Sequence, residues 1–193
     1  VIGKVPYKER DLIVKLLLRS GLVGSFYVYG GQGGGKNHRP TIFELGAMVK
    51  VMIKERRSKG PDATELMVAA ETQRLWAPAL IRHNVQAFYL VCLFFEIIQK
   101  FVLVFHPENG EQTAEHEGIF SVTSNALFYL DDALAKEKFV PSQHLSLFMI
   151  KLLYHLGIMP DTEHCGYCGV NLNQDSGASF LISQGQFACL QCV

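Results

Sequence analysis

The sequence lacks a net charge, an uninterrupted apolar run of membrane-spanning length, and internal repeats. Its 193 residues hold 18 Lys and Arg against 18 Asp and Glu; 19% are charged and 49% are hydrophobic. So apolar a composition excludes a chain kept disordered by charge repulsion. The length allows one large domain or two small ones with buried cores.

The strongest membrane candidate, residues 87–105, is interrupted by Glu96, Gln99 and Lys100. Glu96 and Lys100 are spaced for an i,i+4 ion pair, so a helix packed in a protein core is predicted and not a membrane span. The first residues also lack the apolar segment of a signal peptide. We therefore expect a cytoplasmic protein with no membrane partner, in which Cys92 is a buried structural residue.

Hydrolytic motifs are lacking too: no Gly-x-Ser-x-Gly elbow occurs, and the seven histidines are scattered. Residues 30–37, Gly-Gly-Gln-Gly-Gly-Gly-Lys-Asn, approach a phosphate-binding P-loop. However, Asn37 lacks the hydroxyl that binds Mg²⁺, and Arg39, which precedes Pro40, is biased away from the helix that this motif must open. We expect no enzymatic activity and no small-molecule substrate. A nucleotide-binding enzyme stays as an alternative.

What the sequence does have is four cysteines in two Cys-x-x-Cys pairs, Cys165 with Cys168 and Cys189 with Cys192. This spacing predicts a four-cysteine zinc site, and Gly185 between two short apolar segments indicates a hairpin of the zinc-ribbon kind. Four thiolates fill a tetrahedral ion, so one structural Zn²⁺ per chain is predicted. Two disulfides in a secreted protein are the alternative.

Short β-branched and aromatic segments punctuated by glycine fill the first third of the chain and predict a small barrel or sandwich. A turn is predicted at residues 6–9 and a strand at residues 26–29. Residues 62–75 are ambiguous, because their composition suits a helix while their position suits a last strand. Tyr27 or Tyr29 is a candidate to stack on nucleic-acid bases, and strand alternation leaves open which one faces outward.

After Pro78 the pattern becomes helical. Residues 80–104, 119–136 and a segment that begins at Pro141 predict three helices, with Ser142 as the N-cap of the third and Gly157 and Pro160 as its stop. Their apolar stripes are interpreted as core.

Charge is distributed unevenly along the chain. Residues 1–74 carry thirteen Lys and Arg against seven Asp and Glu, whereas residues 75–193 carry five against eleven. This asymmetry predicts a cationic module that meets an anion, joined to a module with another role.

Three segments carry a family resemblance. Residues 6–14 read Pro-Tyr-Lys-Glu-Arg-Asp-Leu-Ile-Val, and Gly21-Leu22 follow; residues 148–161 read Phe-Met-Ile-Lys-Leu-Leu-Tyr-His-Leu-Gly-Ile-Met-Pro-Asp; and the two Cys-x-x-Cys pairs close the chain. In this order they resemble the bacterial recombination mediator family RecO. The likeness covers nearly the whole chain.

The resemblance implies an α+β multidomain fold. It comprises an N-terminal OB-fold β-barrel at residues 1–76, an α-helical domain at residues 77–164, and a four-cysteine zinc ribbon-like element at residues 165–193 packed on the helical domain. It also favours a strand within the ambiguous residues 62–75.

The resemblance further implies a DNA-repair function. RecO-like proteins bind single- and double-stranded DNA, anneal complementary strands, and help to load recombinase onto DNA coated by single-strand-binding protein, with RecR as a partner. A cytoplasmic, nucleoid-associated bacterial protein is expected. The predicted phosphate contacts are Lys15, Arg19, Lys36, Arg39, Lys50, Lys54, Arg56 and Arg57. The alternative is a zinc-ribbon module that binds protein and not DNA.

Overall fold

The structure is a computed structural model that describes residues 1–32, 42–54, 67–104, 117–172 and 177–193. Strands, helices and a cysteine-bearing hairpin follow one another in the predicted order. The chain divides into two units, Val1–Leu152 and Leu153–Val193. The domain boundaries after residues 76 and 164, and the packing of the cysteine element on the helical domain, stay predictions.

Five strands form the sheet of the first unit: β1 (Gly3–Tyr7), β2 (Asp11–Leu17), β3 (Val23–Val28), β4 (Met48–Lys54) and β5 (Met67–Trp76). Their order across the sheet is β1-β2-β3-β5-β4, and all neighbours are antiparallel except β3 and β5. In β2 the buried residues alternate with partly exposed ones, as expected for a strand with one face in a core. The core on that face comprises Leu12, Val14, Leu16, Phe26, Val28, Phe43 and Ala69.

The predicted β-barrel is not closed in the described residues. Closure would require β1 and β4, the two edges of the sheet, to pair with each other. Instead, main-chain bonds join the residues ahead of these two strands: the Val1 nitrogen donates to the Ala47 carbonyl at 2.7 Å, and the Gly46 nitrogen donates to the Val1 carbonyl at 2.9 Å. A mainly apolar cavity of about 510 Å³ is lined by β4, by the end of β2, by the two residues ahead of β1, and by helical side chains that include Phe95 and Leu127.

The ambiguous segment at residues 62–75 is a strand where the structure describes it. β5 pairs in parallel with β3 through Phe26 and Met67, and it pairs along nearly its whole length with β4. Pairing with β4 satisfies main-chain groups along one side of β5, and pairing with β3 does so on the other side at Met67 and Val68. Tertiary context therefore outweighs the helical composition of this segment.

Three helices follow the sheet: α1 (Val85–Phe101), α2 (Glu117–Ala135) and α3 (Pro141–His155). The Asn84 side chain caps α1 by accepting from the Ala87 nitrogen at 3.0 Å. The predicted N-cap of α3 is wrong: the helix begins at Pro141, and Ser142 lies inside its first turn. Proline is favoured at the first helical position, because its missing N–H would have no partner there.

The predicted stop of α3 at Gly157 is confirmed. Gly157 has φ +69°, and its nitrogen donates to the Tyr154 carbonyl while Ile158 donates to Leu153. This is a Schellman cap, which requires the left-handed conformation that glycine adopts without steric cost.

The helices contact one another, and α1 also contacts the sheet of the first unit. Phe94 of α1 and Phe148 of α3 stack with ring centres 3.9 Å apart. Gln99 of α1 accepts from the Lys15 ammonium at 3.0 Å and donates to the Ile2 carbonyl at 3.2 Å. The predicted pair of Glu96 and Lys100 is present at 2.8 Å. In the part of the chain that the structure describes, no helix is both long and apolar enough to cross a membrane.

Candidate metal centre and nucleic-acid interface

The first Cys-x-x-Cys pair lies on a tight loop closed by main-chain hydrogen bonds. Cys165 donates to the Val170 carbonyl at 2.8 Å, Gly169 donates back to Cys165 at 2.9 Å, and Leu172 donates to Glu163 at 2.7 Å. Gly169 has φ +69°, the left-handed conformation that turns the chain just after Cys168.

The second pair follows a short hairpin, as predicted. The hairpin consists of β6 (Ala178–Leu181) and β7 (Gln186–Cys189), with Gly185 at φ +63° in its turn. Cys189 ends β7, and Cys192 donates back to its carbonyl at 3.0 Å. The hairpin is fixed to the first loop, because the Gly166 nitrogen donates to the Phe187 carbonyl at 2.8 Å.

The four cysteine sulfurs converge on one point. All four lie within 4.8 Å of one another, and those of Cys168 and Cys189 are 3.8 Å apart. Cys165 and Cys189 are buried, whereas Cys168 is exposed. All five cysteines of the chain are free thiols, so neither disulfide of the alternative interpretation is present in this structure. The arrangement can hold one metal ion.

The ionisation of this cluster is uneven. The main-chain N–H groups of Cys168, Cys189 and Tyr167 lower the pKa of the Cys165 thiol to about 6. Hydrogen bonds with Cys189 and Cys168 raise the pKa of Cys192 to about 12. Cys165 therefore ionises before Cys192. A cation among the sulfurs would favour the thiolate form of the others, since a thiolate and not a thiol is the metal ligand.

Cys92 lies on α1, away in sequence from the two pairs, and is partly buried. Burial raises the pKa of its thiol. Both facts agree with the structural role predicted for it.

The predicted phosphate contacts divide into described and undescribed residues. Lys36, Arg39, Arg56 and Arg57 lie outside the described residues, as does most of the glycine-rich loop. Lys15, Arg19, Lys50 and Lys54 are described and lie on β2, just after β2, and on β4. As DNA contacts, all eight stay predictions.

Lys15 and Lys50 point away from the core of the sheet. Val14 and Leu16, on either side of Lys15, are core residues, and so alternation directs Lys15 to the opposite face. Val49 and Val51 pack against the same core around Lys50. Strands β3 and β5 separate the two cations. Lys15 and Lys50 therefore lie on opposite sides of the outer face of the sheet and do not form a cluster.

Of the two candidate stacking tyrosines, Tyr27 is 2% exposed and Tyr29 is 49% exposed. Tyr27 donates a hydrogen bond to the Asp11 carboxylate, which raises the pKa of Tyr27 to about 12. Sequence reasoning misses Tyr7, because it predicts a turn at residues 6–9 whereas β1 continues through Tyr7. The register of the β1–β2 hairpin pairs Tyr7 with Asp11, and this pairing identifies Tyr7 as a residue of the sheet.

The chain combines an N-terminal five-stranded sheet, a three-helix segment and a C-terminal element with four converging cysteines. Comparison with known proteins agrees with this architecture. Residues 110–193 match the family model described as "Recombination protein O C terminal". The chain is also 24% identical over 195 aligned residues to the DNA repair protein RecO of Thermodesulfovibrio yellowstonii, and the alignment covers all of this chain and 67% of the relative.

Both comparisons are likenesses to the RecO family, which is the family that the sequence resemblance predicted. One finding covers α2, α3 and the cysteine-bearing part, and the other extends over the N-terminal sheet. The names of these similar proteins refer to recombination and DNA repair.

Proposed function

We propose that this chain is a DNA-binding mediator of recombinational repair. It binds single- and double-stranded DNA, anneals complementary strands, and assists recombinase loading onto DNA coated by single-strand-binding protein, acting with RecR and without bond-making catalysis. The observation that carries the proposal is the likeness along the whole chain to a protein named DNA repair protein RecO. A cytoplasmic location follows from this role.

The N-terminal sheet, as a proposed OB-fold, is the DNA-binding part. Its support is the excess of cations in residues 1–74, together with the outward direction of the exposed Lys50. Cations on a surface neutralise phosphates and release condensed counterions, which gives affinity that depends on salt and little on base sequence.

The ion proposed for the metal centre is one structural Zn²⁺ per chain. Four thiolates at about 2.3 Å from a tetrahedral zinc lie roughly 3.8 Å from one another. The separation of the Cys168 and Cys189 sulfurs, 3.8 Å, fits this geometry. The donor set leaves no position for water or substrate, so the ion would hold the loop and the hairpin together.

A titration of labelled single-stranded DNA, followed by fluorescence anisotropy at two salt concentrations, tests the proposal. Lys50→Glu with Lys54→Glu should weaken binding and reduce the salt dependence by about two phosphate contacts. The same is expected for the pair Arg56→Glu and Arg57→Glu. The control is Lys136→Glu with Lys138→Glu, at the end of α2, which should change affinity little. Equal losses in the sheet and control variants would refute the sheet as the binding surface.

DNA binding and zinc content of the wild-type chain alone distinguish the proposed function from the alternative of a protein-binding zinc ribbon. That alternative predicts no DNA binding at low salt while the chain still retains one zinc. A clear melting shift with Mg-ATP would instead support the nucleotide-binding alternative, since a ligand that binds only the folded state stabilises it.

A further inference from the structure

Three tyrosines lie side by side on the outer face of the N-terminal sheet. Tyr7 is the last residue of β1, Tyr27 lies in β3, and Tyr29 follows β3 directly. Ile13 of β2 pairs with Tyr27 on one side and with Val5 on the other, two residues from Tyr7. Alternation therefore places these rings on the face opposite to the core.

The Tyr27 ring is held in place, and the Tyr7 and Tyr29 rings pack against it. Tyr7 and Tyr29 make edge-type contacts with Tyr27 at centroid distances of 5.6 Å and 4.6 Å. The Asp11 carboxylate holds the central ring through the Tyr27 hydroxyl, and its other oxygen accepts from the Gly30 nitrogen at 2.8 Å. Tyr27 is buried, whereas Tyr7 and Tyr29 are 41% and 49% exposed. The arrangement thus presents two positioned aromatic surfaces to solvent.

Two cations lie in the turn that follows Tyr7. The Lys8 ammonium lies 5.5 Å from the centre of the Tyr7 ring, and Lys8 and Arg10 are exposed in the turn between β1 and β2. Of the two nearby carboxylates, Asp11 is engaged by two donors, whereas Glu9 is exposed between Lys8 and Arg10, so two cations stand against one exposed carboxylate in this turn. Exposed rings beside cations are the combination that binds single-stranded nucleic acid, because bases stack on the rings while phosphates meet the charges.

We infer that Tyr7 and Tyr29 form a stacking platform for unpaired bases, with Lys8 and Arg10 as adjacent phosphate contacts, and that this platform makes the sheet favour single-stranded over duplex DNA. In a duplex each base is already stacked on its neighbours and cannot offer its face to a tyrosine. The inference rests on the proposed DNA-binding function and adds to it the residues that select strand type.

The test compares the Tyr7→Leu, Tyr29→Leu double variant with wild type. Anisotropy titrations use a labelled single strand and a labelled duplex of the same length. Loss of stacking on two rings should weaken single-strand binding by about tenfold or more. Duplex affinity should change by less than about twofold, and the salt slope should stay unchanged because no phosphate contact is lost.

Two further variants make the result specific. Tyr7→Phe with Tyr29→Phe keeps both rings and should retain single-strand affinity. Tyr89→Leu with Tyr129→Leu removes exposed tyrosines from α1 and α2, and should leave affinity for both DNAs unchanged.

The outcomes separate this inference from the proposed function. If wild type binds both DNAs and the leucine variant weakens them equally or not at all, the platform is refuted and DNA binding stands. If the phenylalanine variant loses as much affinity as the leucine variant, ring stacking is refuted as the cause. If wild type binds neither DNA at low salt, the proposed function and the platform both fall.

Discussion

The N-terminal sheet and the cysteine element are stabilised in different ways. The sheet surrounds a core of seven buried residues contributed by several strands and one loop. In its described residues the cysteine element has a core of three buried residues, Cys165, Ala188 and Cys189, two of which are predicted metal ligands. So small a core cannot offset the entropy of ordering the chain, and small elements of this kind need a metal or disulfides. Burial of apolar side chains therefore stabilises the sheet, whereas metal ligation would stabilise the C-terminal element.

The largest effect is expected from removal of the metal. Cys168→Ser, or a strong chelator, should lower zinc from one per chain to near zero and unfold the cysteine element, since the free energy of metal binding is free energy of folding there. Elemental analysis and hydrogen exchange measure both effects, and DNA binding by the sheet should persist.

Cys92→Ser is the matched control for this change. Cys92 is partly buried on α1 and is not one of the converging cysteines, so zinc content should stay at one per chain. Loss of DNA binding in a folded Cys168→Ser protein would contradict the comparison, because the metal element would then be part of the DNA site.

The converse change belongs in the sheet. Phe26 is 1% exposed in the core, and Phe26→Ala should destabilise the first unit by about 3–5 kcal/mol. Denaturant unfolding measures this loss, and zinc per chain should not change below the transition. A fall in zinc content that parallels the loss of the sheet would show that the two regions fold as one.

A smaller effect is expected at Asp131 of α2. Its carboxylate accepts hydrogen bonds from the main-chain nitrogens of Ala79, Leu80 and Ile81, in the segment that follows β5. Asp131→Ala should cost about 1–3 kcal/mol, because these donors lose their partner. Asp132→Ala, which breaks only an exposed ion pair with Lys136, should cost less than about 1 kcal/mol. Equal melting temperatures for the two variants would contradict a stabilising role for Asp131.

The smallest effect concerns two glycines with the same backbone conformation. Gly169→Ala and Gly157→Ala each place a side chain at φ +69° with no atom within 4 Å of the new Cβ, so only backbone strain of about 1–2 kcal/mol is expected. Gly169 follows the metal loop, and Gly157 caps α3. A competition assay with a zinc chelator should therefore show weaker zinc binding for Gly169→Ala alone. Equal zinc affinities would mean that the loop reaches its metal-binding geometry without glycine.

The elements that sequence reasoning predicted well are those set by local pattern. The three helices follow apolar stripes, the third ends at its predicted glycine, and the hairpin lies between its two cysteine pairs as the glycine and apolar segments indicated. One error is a helix boundary, since α3 begins one residue before Ser142. The other errors are at positions where a neighbouring strand decides. The turn predicted at residues 6–9 begins after Tyr7, because β2 pairs with β1 up to that residue.

By itself, the sequence determined which residues could ligate a metal, since two Cys-x-x-Cys turns bring their sulfurs together over short stretches of chain. It also determined the helices, whose hydrogen bonds are made within each segment. Only the tertiary structure decided that β5 is a strand, that the sheet stays open between β1 and β4, and that Tyr27 is buried while Tyr7 and Tyr29 are exposed. Each of these depends on hydrogen bonds and ring contacts between residues far apart in the chain, and local periodicity carries no information about which distant partner a strand will meet.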